Sequence, residues 1–143
     1  MSKLLILDFN DQLAFLKYFL ETKEYVVKIL GNTLDIFSEI YSFNPDLLLL
    51  SAFPGGKDGR ELCKQLRSRP ETRHLGILIF SASAESLEDY KSYCADDFIQ
   101  KPFNLNTLSE KIKSLLSWIP IRKKALNNSS DNLLDPGSTT FGK

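Results

Sequence analysis

The stretch Pro45-Asp46-Leu47-Leu48-Leu49-Leu50-Ser51 decides the fold. An apolar run this short, without polar residues at alternate positions, belongs to a strand covered on both faces, as in a parallel sheet. Two runs of the same kind stand on either side of it, Leu4 to Leu7 and Ile77 to Phe80, each bounded by polar or turn residues. Between them apolar residues recur at helical spacing: Leu13, Leu16, Phe19 and Leu20, then Ile36, Phe37 and Ile40, then Leu62 and Leu66. Tyr25 to Ile29 and Asp97 to Ile99 add a second and a fifth strand. Leu87 and Tyr90 mark a fourth helix, and Leu105, Leu108, Ile112, Leu115 and Leu116 mark a fifth. Strand and helix alternate without a repeat period, which predicts an α/β fold: a doubly wound five-stranded parallel sheet of order 2-1-3-4-5 with helices on both faces.

Right-handed crossovers carry the carboxyl end of every strand to one edge, and sheets of this order bind ligands there, outside the first and third strands. Chemistry is therefore expected at Asp8, Ser51 and Ser81. The punctuation agrees. Asn10 and Asp11 can cap the first helix, Asn32 or Thr33 the second and Asn104 the fifth, while Pro54-Gly55-Gly56 turns the chain after the third strand. Gly55-Gly56 lacks the spacing and the Lys-Ser/Thr end of a phosphate-cradling loop and reads as a turn.

At 143 residues the chain has the size of one ordinary domain, and its 43% apolar and 25% charged residues exclude the disordered, collagenous and membrane-embedded classes. One domain is expected over residues 1–121, followed by a polar, flexible tail over 122–143 in which Asn127-Asn128-Ser129-Ser130-Asp131-Asn132 is the first polar run. Eighteen basic and eighteen acidic residues cancel. No net positive field then draws in nucleic acid or an anionic membrane, and a protein is the expected partner. Cys63 and Cys94 are too few for a disulfide framework and lie in no metal-ligand spacing. They read as buried or half-buried thiols of a reducing compartment. No secretory leader is recognisable, and no stretch approaches the roughly 20 apolar residues of a membrane span, so the expected location is cytoplasmic.

With the elements placed, Pro45 to Leu50, the turn ending Asp58-Gly59, Phe80-Ser81-Ala82 and Ala95-Asp96-Asp97-Phe98-Ile99-Gln100-Lys101-Pro102-Phe103 resemble the receiver domain of two-component response regulators. Glu61 to Arg67 and Thr72-Arg73-His74 are similar to that family's third helix and the loop after it, so the resemblance spans about Lys3 to Ser117. It implies the flavodoxin-like receiver fold and a place in bacterial signalling and phosphorelay. It also implies an aspartate at the end of the third strand that takes a phosphoryl group from a histidine kinase beside Mg²⁺. Here Ser51 stands at that position. A carboxylate there serves as nucleophile, as hard oxygen ligand and as part of the charge that holds the cation. A neutral hydroxyl without a base does none of these well.

The family also places two adjacent acids after the first strand, and this chain offers Asp8 alone, between Leu7 and Phe9. Aligning the strand from Lys3 makes Asp8 the first acid, and a gapless run into Leu13 and Glu21 makes it the second. Either way three carboxylates fall to one, and Mg²⁺ binding is expected to be weak or absent, with any residual affinity at Asp8. By the same resemblance Lys101 matches the phosphate-pairing lysine, Ser81 the hydroxyl residue and Phe98 the switch aromatic, so the readout survives without its trigger. Lys101 is expected to pair with Asp8, and Lys101-Pro102 matches the family's cis peptide. The fourth helix, fifth strand and fifth helix of receivers form their usual partner or dimer surface, on which Tyr90, Phe103 and Trp118 are the candidate contacts here.

Several features carry a plainer reading. Phe15, Tyr18 and Phe19 interleave with Leu13, Leu16 and Leu20 and read either as core or as a protein-facing patch. Ser81-Ala82-Ser83-Ala84-Glu85-Ser86 reads as helix capping before it reads as a phosphate site. His74 has no ligand partners in its spacing and reads as a surface histidine, and Arg122-Lys123-Lys124 reads as a solvated run after a helix that ends near Trp118 to Ile121.

The expected function is a phosphorylation-independent interaction module, an atypical or pseudo-receiver whose degenerate site is Asp8, Ser51, Ser81 and Lys101. It needs no cofactor and catalyses no reaction, and its partner is a histidine kinase, an output domain, another regulator or a second copy of the chain. Two readings of other classes stand beside it. One is phosphotransfer through Asp46, Asp58 or Ser51 itself, although Asp46 opens the strand at the wrong edge and Asp58 lies seven residues past Ser51. The other is a flavodoxin-like binder of a small ligand such as FMN, for which the chain lacks a Ser/Thr-rich phosphate loop after the first strand.

Overall fold

A computed structural model describes residues 1–8, 12–31, 35–52, 58–82 and 94–132. The parallel strands β1 (Lys3–Leu7), β2 (Val26–Leu30), β3 (Leu47–Ser51), β4 (Gly76–Ser81) and β5 (Asp97–Gln100) form one sheet of order β2-β1-β3-β4-β5, as the run pattern predicts. Helices α1 (Leu13–Thr22), α2 (Ile36–Phe43), α3 (Gly59–Ser68) and α4 (Leu105–Asn132) accompany it. The helix expected around Leu87 and Tyr90, the caps at Asn10, Asp11, Asn32 and Thr33, the Pro54-Gly55-Gly56 turn and the serines at 83 and 86 lie outside the described residues.

Leu47 to Leu50 have no exposed surface because β3 is covered on both sides. The two-residue period of the strands sorts them. Leu48 and Leu50, with Leu5, Leu7, Ile77 and Ile79, pack among Ile36, Ile40, Leu62, Cys63 and Leu66 of α2 and α3. Leu47 and Leu49, with Leu4, Ile6, Leu78 and Phe80, pack among Leu13, Leu16, Leu20, Leu108, Ile112 and Leu115 of α1 and α4. Each such leucine contributes about 1.5–3 kcal/mol over leaving it in water. The interleaved aromatics of α1 divide between the two readings. Phe19 is half-buried against the core, while Phe15 and Tyr18 remain 63% and 66% exposed.

The helix termini follow the sequence where they are described. The Asn104 carboxamide oxygen accepts from the backbone N–H of Asn106 at 2.7 Å, the expected cap of α4. Asp58 caps α3, accepting from the Arg60 backbone N–H at 3.0 Å. Asn44 ends α2 in the left-handed conformation at φ 53°.

Three expectations need correction. The last helix does not stop near Trp118 to Ile121 but runs on to Asn132 with Pro120 inside it, so the predicted tail begins as helix. A proline there removes one helical hydrogen bond and crowds the preceding turn, at a cost of about 3 kcal/mol. Contacts on both sides of it carry the helix across. Ile119 is buried against Gly76, where a Cβ would overlap the Ile119 side chain and stand 2.8 Å from Leu47 Cδ1. One turn later Arg122 is bound to Asp96 at 2.6 Å. Next, Cys94 is exposed and left-handed at φ 70°, in contrast to Cys63, whose thiol is buried and pushed up to about 12 by desolvation. Finally, His74 is half-buried, and that burial, reinforced by Lys123 and Arg122, lowers its pKa from the ordinary value.

Candidate functional site

The register places the site. β1 and β3 pair through Leu7 and Leu50, so the next residues, Asp8 and Ser51, lie level on neighbouring strands. β3 and β4 pair through Ser51 and Phe80, which puts Ser81 one step further along the same rim. Asp8, Ser51 and Ser81 are all buried, at 6%, 7% and 8% exposure. Lys101 enters from the end of β5. Its backbone N–H donates to the Ser81 carbonyl at 2.8 Å, and its Nζ donates to Asp8 Oδ2 at 2.7 Å while lying 4.8 Å from the Phe80 ring centroid. The expected ion pair is present, and the peptide bond from Lys101 to Pro102 is cis.

Magnesium prefers near-octahedral oxygen coordination with one or two carboxylates plus phosphate oxygens. The rim supplies, among the described residues, one carboxylate, already engaged by an ammonium 2.7 Å away, with two neutral hydroxyls on the neighbouring strands. Among the described residues no three His, Cys, Asp or Glu side chains gather as a metal site. These described donors alone do not fit Mg²⁺.

Phe98 is half-buried on β5 and packs against the core beneath α2 and α3. The Lys111 ammonium lies 5.6 Å from its ring centroid and 3.2 Å from Asp97 Oδ1. Of the three candidate contact residues, Phe103 is half-buried beside the rim, its ring tilted 44° to Phe80 at 6.4 Å between centroids. Trp118 is also half-buried, with the Arg122 guanidinium 4.6 Å from its ring centroid. About 20 Å of helix separates Leu105 from Trp118, so Phe103 and Trp118 do not share one patch. Tyr90 lies outside the described residues.

Of the alternative aspartate acceptors, Asp46 stands away from the rim, whereas Asp58 lies on the rim side, where the Gly59 N–H donates to the Ala52 carbonyl at 2.7 Å. Asp46 accepts from the Lys3 backbone N–H at 2.8 Å, at the opposite end of the sheet. Asp58 caps α3, and its hydrogen bond from the Arg60 side chain holds its carboxyl below the usual carboxylate range.

Sequence reasoning missed a second charged cluster, at the end of the sheet opposite the rim. Asp96 Oδ2 accepts from Arg67 Nη2 at 2.8 Å and from the Ile77 backbone N–H at 2.8 Å, and Oδ1 accepts from Arg122 Nη1 at 2.6 Å. Both arginines also reach backbone carbonyls. Arg67 donates to Cys94, Arg73 and Leu75, and Arg122 donates to His74 and Leu75. Arg122 looked like part of a solvated run because its partners lie 26 to 48 residues away.

The response regulator receiver domain family matches residues 4–113. The chain is 31% identical over 119 residues to the phosphate regulon transcriptional regulatory protein PhoB of Rhizobium meliloti, covering 81% of this chain and 52% of that one. It is also 31% identical over 123 residues to the response regulator ArlR of Staphylococcus saprophyticus, covering 84% and 54%. The chain thus spans about half the length of the curated relatives it matches. Among solved structures, a two-component response regulator from Clostridium difficile superposes with a TM-score of 0.72 at 29% identity, covering 82% of this chain and 97% of that one. No described helix is long and apolar enough to cross a membrane. The matched sequence, the strand order and the rim on which Asp8, Ser51, Ser81 and Lys101 stand together place this chain in the family of response regulator receiver domains.

Proposed function

We propose that this chain is a pseudo-receiver of bacterial, cytoplasmic two-component signalling, which works by protein docking and runs no aspartyl-phosphate cycle. The observation that carries this reading is Ser51 at the end of β3, level with an Asp8 whose carboxylate is bound to Lys101. An acyl phosphate needs a carboxylate nucleophile and a cation to hold the charge that arrives, and among the described residues the rim offers neither in usable form. Docking instead selects among conformations. Half-buried Phe98 packs against the core and Lys101 pairs with Asp8 in one of them, and a partner that binds this conformation better than its alternatives selects it. The partner is a signalling protein: a histidine kinase, an output domain such as the relatives' additional length can supply, another regulator or a second copy. The module itself is no enzyme.

Incubation with acetyl phosphate and Mg²⁺ followed by intact-mass measurement tests this directly. The mass is expected to stay unchanged, and a stoichiometric gain of about 80 Da, one phosphoryl group, overturns the proposal. The converse experiment rebuilds the site. Ser51→Asp combined with Phe9→Asp, or with Leu7→Asp, is expected to gain Mg²⁺-dependent binding of beryllofluoride.

A further inference from the structure

A groove of about 600 Å³ opens between the first turns of α1 and the β5–α4 connection, directly above the Asp8 and Lys101 pair. Its volume falls within the roughly 300–1,000 Å³ of small-molecule sites. Leu13 and Leu16 of α1 line one wall, Phe103 and Leu105 the other, and Phe80 lies between them. Phe15 stands at the mouth, 63% exposed. Tilted against each other, the Phe80 and Phe103 rings form an aromatic surface rather than a flexible aliphatic one.

Both members of the ion pair line the groove, the Asp8 side chain 7% exposed and that of Lys101 29% exposed, so among the described residues the ammonium is the more accessible charge. An ammonium carries three N–H donors, and the bond to Asp8 uses one of them. The buried carboxylate behind it limits how much further negative charge the corner accepts. A phosphate monoester, with its charge of about −1.5 to −2, is repelled by Asp8 more strongly than a single carboxylate is.

We propose that this groove binds an amphiphilic monocarboxylate, with an aromatic or short aliphatic body between α1 and Phe103 and its carboxylate on Lys101. The proposal goes beyond the docking function above and does not depend on it, since nothing in the groove requires Ser51 to be modified or left unmodified. Such a ligand joins α1 to the β5–α4 connection and gives the domain a chemical input where its relatives receive phosphorus.

Titration of the full chain with 1-naphthaleneacetate, followed by ¹⁵N–¹H NMR, tests the proposal, with the uncharged 1-naphthaleneacetamide as the control. Saturable shifts are expected at the amides of Leu13, Leu16, Phe103 and Leu105, with the amide control bound about ten-fold more weakly for want of the charge-assisted hydrogen bond. Lys101→Met is expected to abolish the acid's advantage over the amide. Phe15→Ala, at an exposed position whose loss leaves the core intact, is expected to weaken both several-fold. Absence of saturable shifts at millimolar probe, shifts centred elsewhere, or equal affinity for acid and amide in the unmodified chain overturns it. So does a groove that takes up the probe only as competitor to a bound polypeptide.

Discussion

Asp8 and Asp96 are carboxylates buried to nearly the same degree at opposite ends of one sheet, their side chains 7% and 8% exposed, yet they are held in different ways. Asp96 receives guanidiniums from Arg67 and Arg122 and the N–H of Ile77, and both arginines direct further donors at backbone carbonyls. Asp8 meets the ammonium of Lys101, which sits on a flexible stem with 29% of its side chain exposed. Loss of the carboxylate traps two cations in the first case and lets one swing out into water in the second. How deeply a charge is buried therefore says less about its role than whether its partner has an escape route. The cluster at Asp96 is a fastening, and the pair at Asp8 can exchange its partner.

The sharpest way to break this comparison is to remove each carboxylate in turn. Asp96→Ala is expected to cost about 3–5 kcal/mol in urea unfolding, because the half-buried Arg67 and Arg122 guanidiniums, both tied to backbone carbonyls, are left without their anion. Arg122→Met keeps an apolar stem beside Trp118 and leaves Asp96 paired with Arg67, so the expected cost falls to about 1.5–3 kcal/mol. Its signature is local. Hydrogen exchange past Pro120 should accelerate while the amides around Ile112 stay protected, and uniform acceleration along α4 would show that Arg122 does not hold the last turns. Asp8→Asn is expected to cost only about 1 kcal/mol, since Lys101 can turn to solvent. If Asp8→Asn proves as damaging as Asp96→Ala, the distinction between fastening and exchangeable pair is wrong.

The same contrast explains what could be read in the sequence. The sheet was legible because the Leu47 to Leu50 run, covered on both faces, has no other economical interpretation, and five alternating units fit the common doubly wound order 2-1-3-4-5, whose right-handed crossovers bring the strand ends to one edge. The rim was legible because strand ends in a parallel sheet are fixed by register: Asp8, Ser51 and Ser81 needed no side-chain information to be brought together, and Lys101 followed one residue after β5. The Asp96 cluster was not legible, because it joins the end of α3, the residue before β5 and the second half of α4 through long side chains, and nothing in local spacing links positions 67, 96 and 122. The overrun of Pro120 was hidden for the same reason. A proline reads as a stop, and the contacts that override it, Ile119 on Gly76 and Arg122 on Asp96, are both tertiary. Cys94 carried no mark of its left-handed backbone, which a glycine would have announced.

The smallest expected effect concerns His74, whose half-buried ring adjoins the arginine-rich end of the sheet. Burial is the main cause that lowers its pKa below 6.5, and the charges of Lys123, Arg122, Arg67 and Arg73 act in the same direction. A base with a lowered folded-state pKa takes up its proton first in the unfolded chain. As pH falls through 6.5 toward the folded value, the unfolded state therefore binds more protons and stability declines. His74→Gln is expected to flatten the stability difference between pH 7.5 and pH 5.5 relative to the unmodified chain in urea titrations. Arg122→Met, which removes one of the charges that face the ring, is expected to flatten it partly. A slope that His74→Gln leaves unchanged would assign the acid sensitivity to the carboxylates instead, and Asp58, with its lowered pKa and its stability contribution lost as pH falls further, is the first to examine.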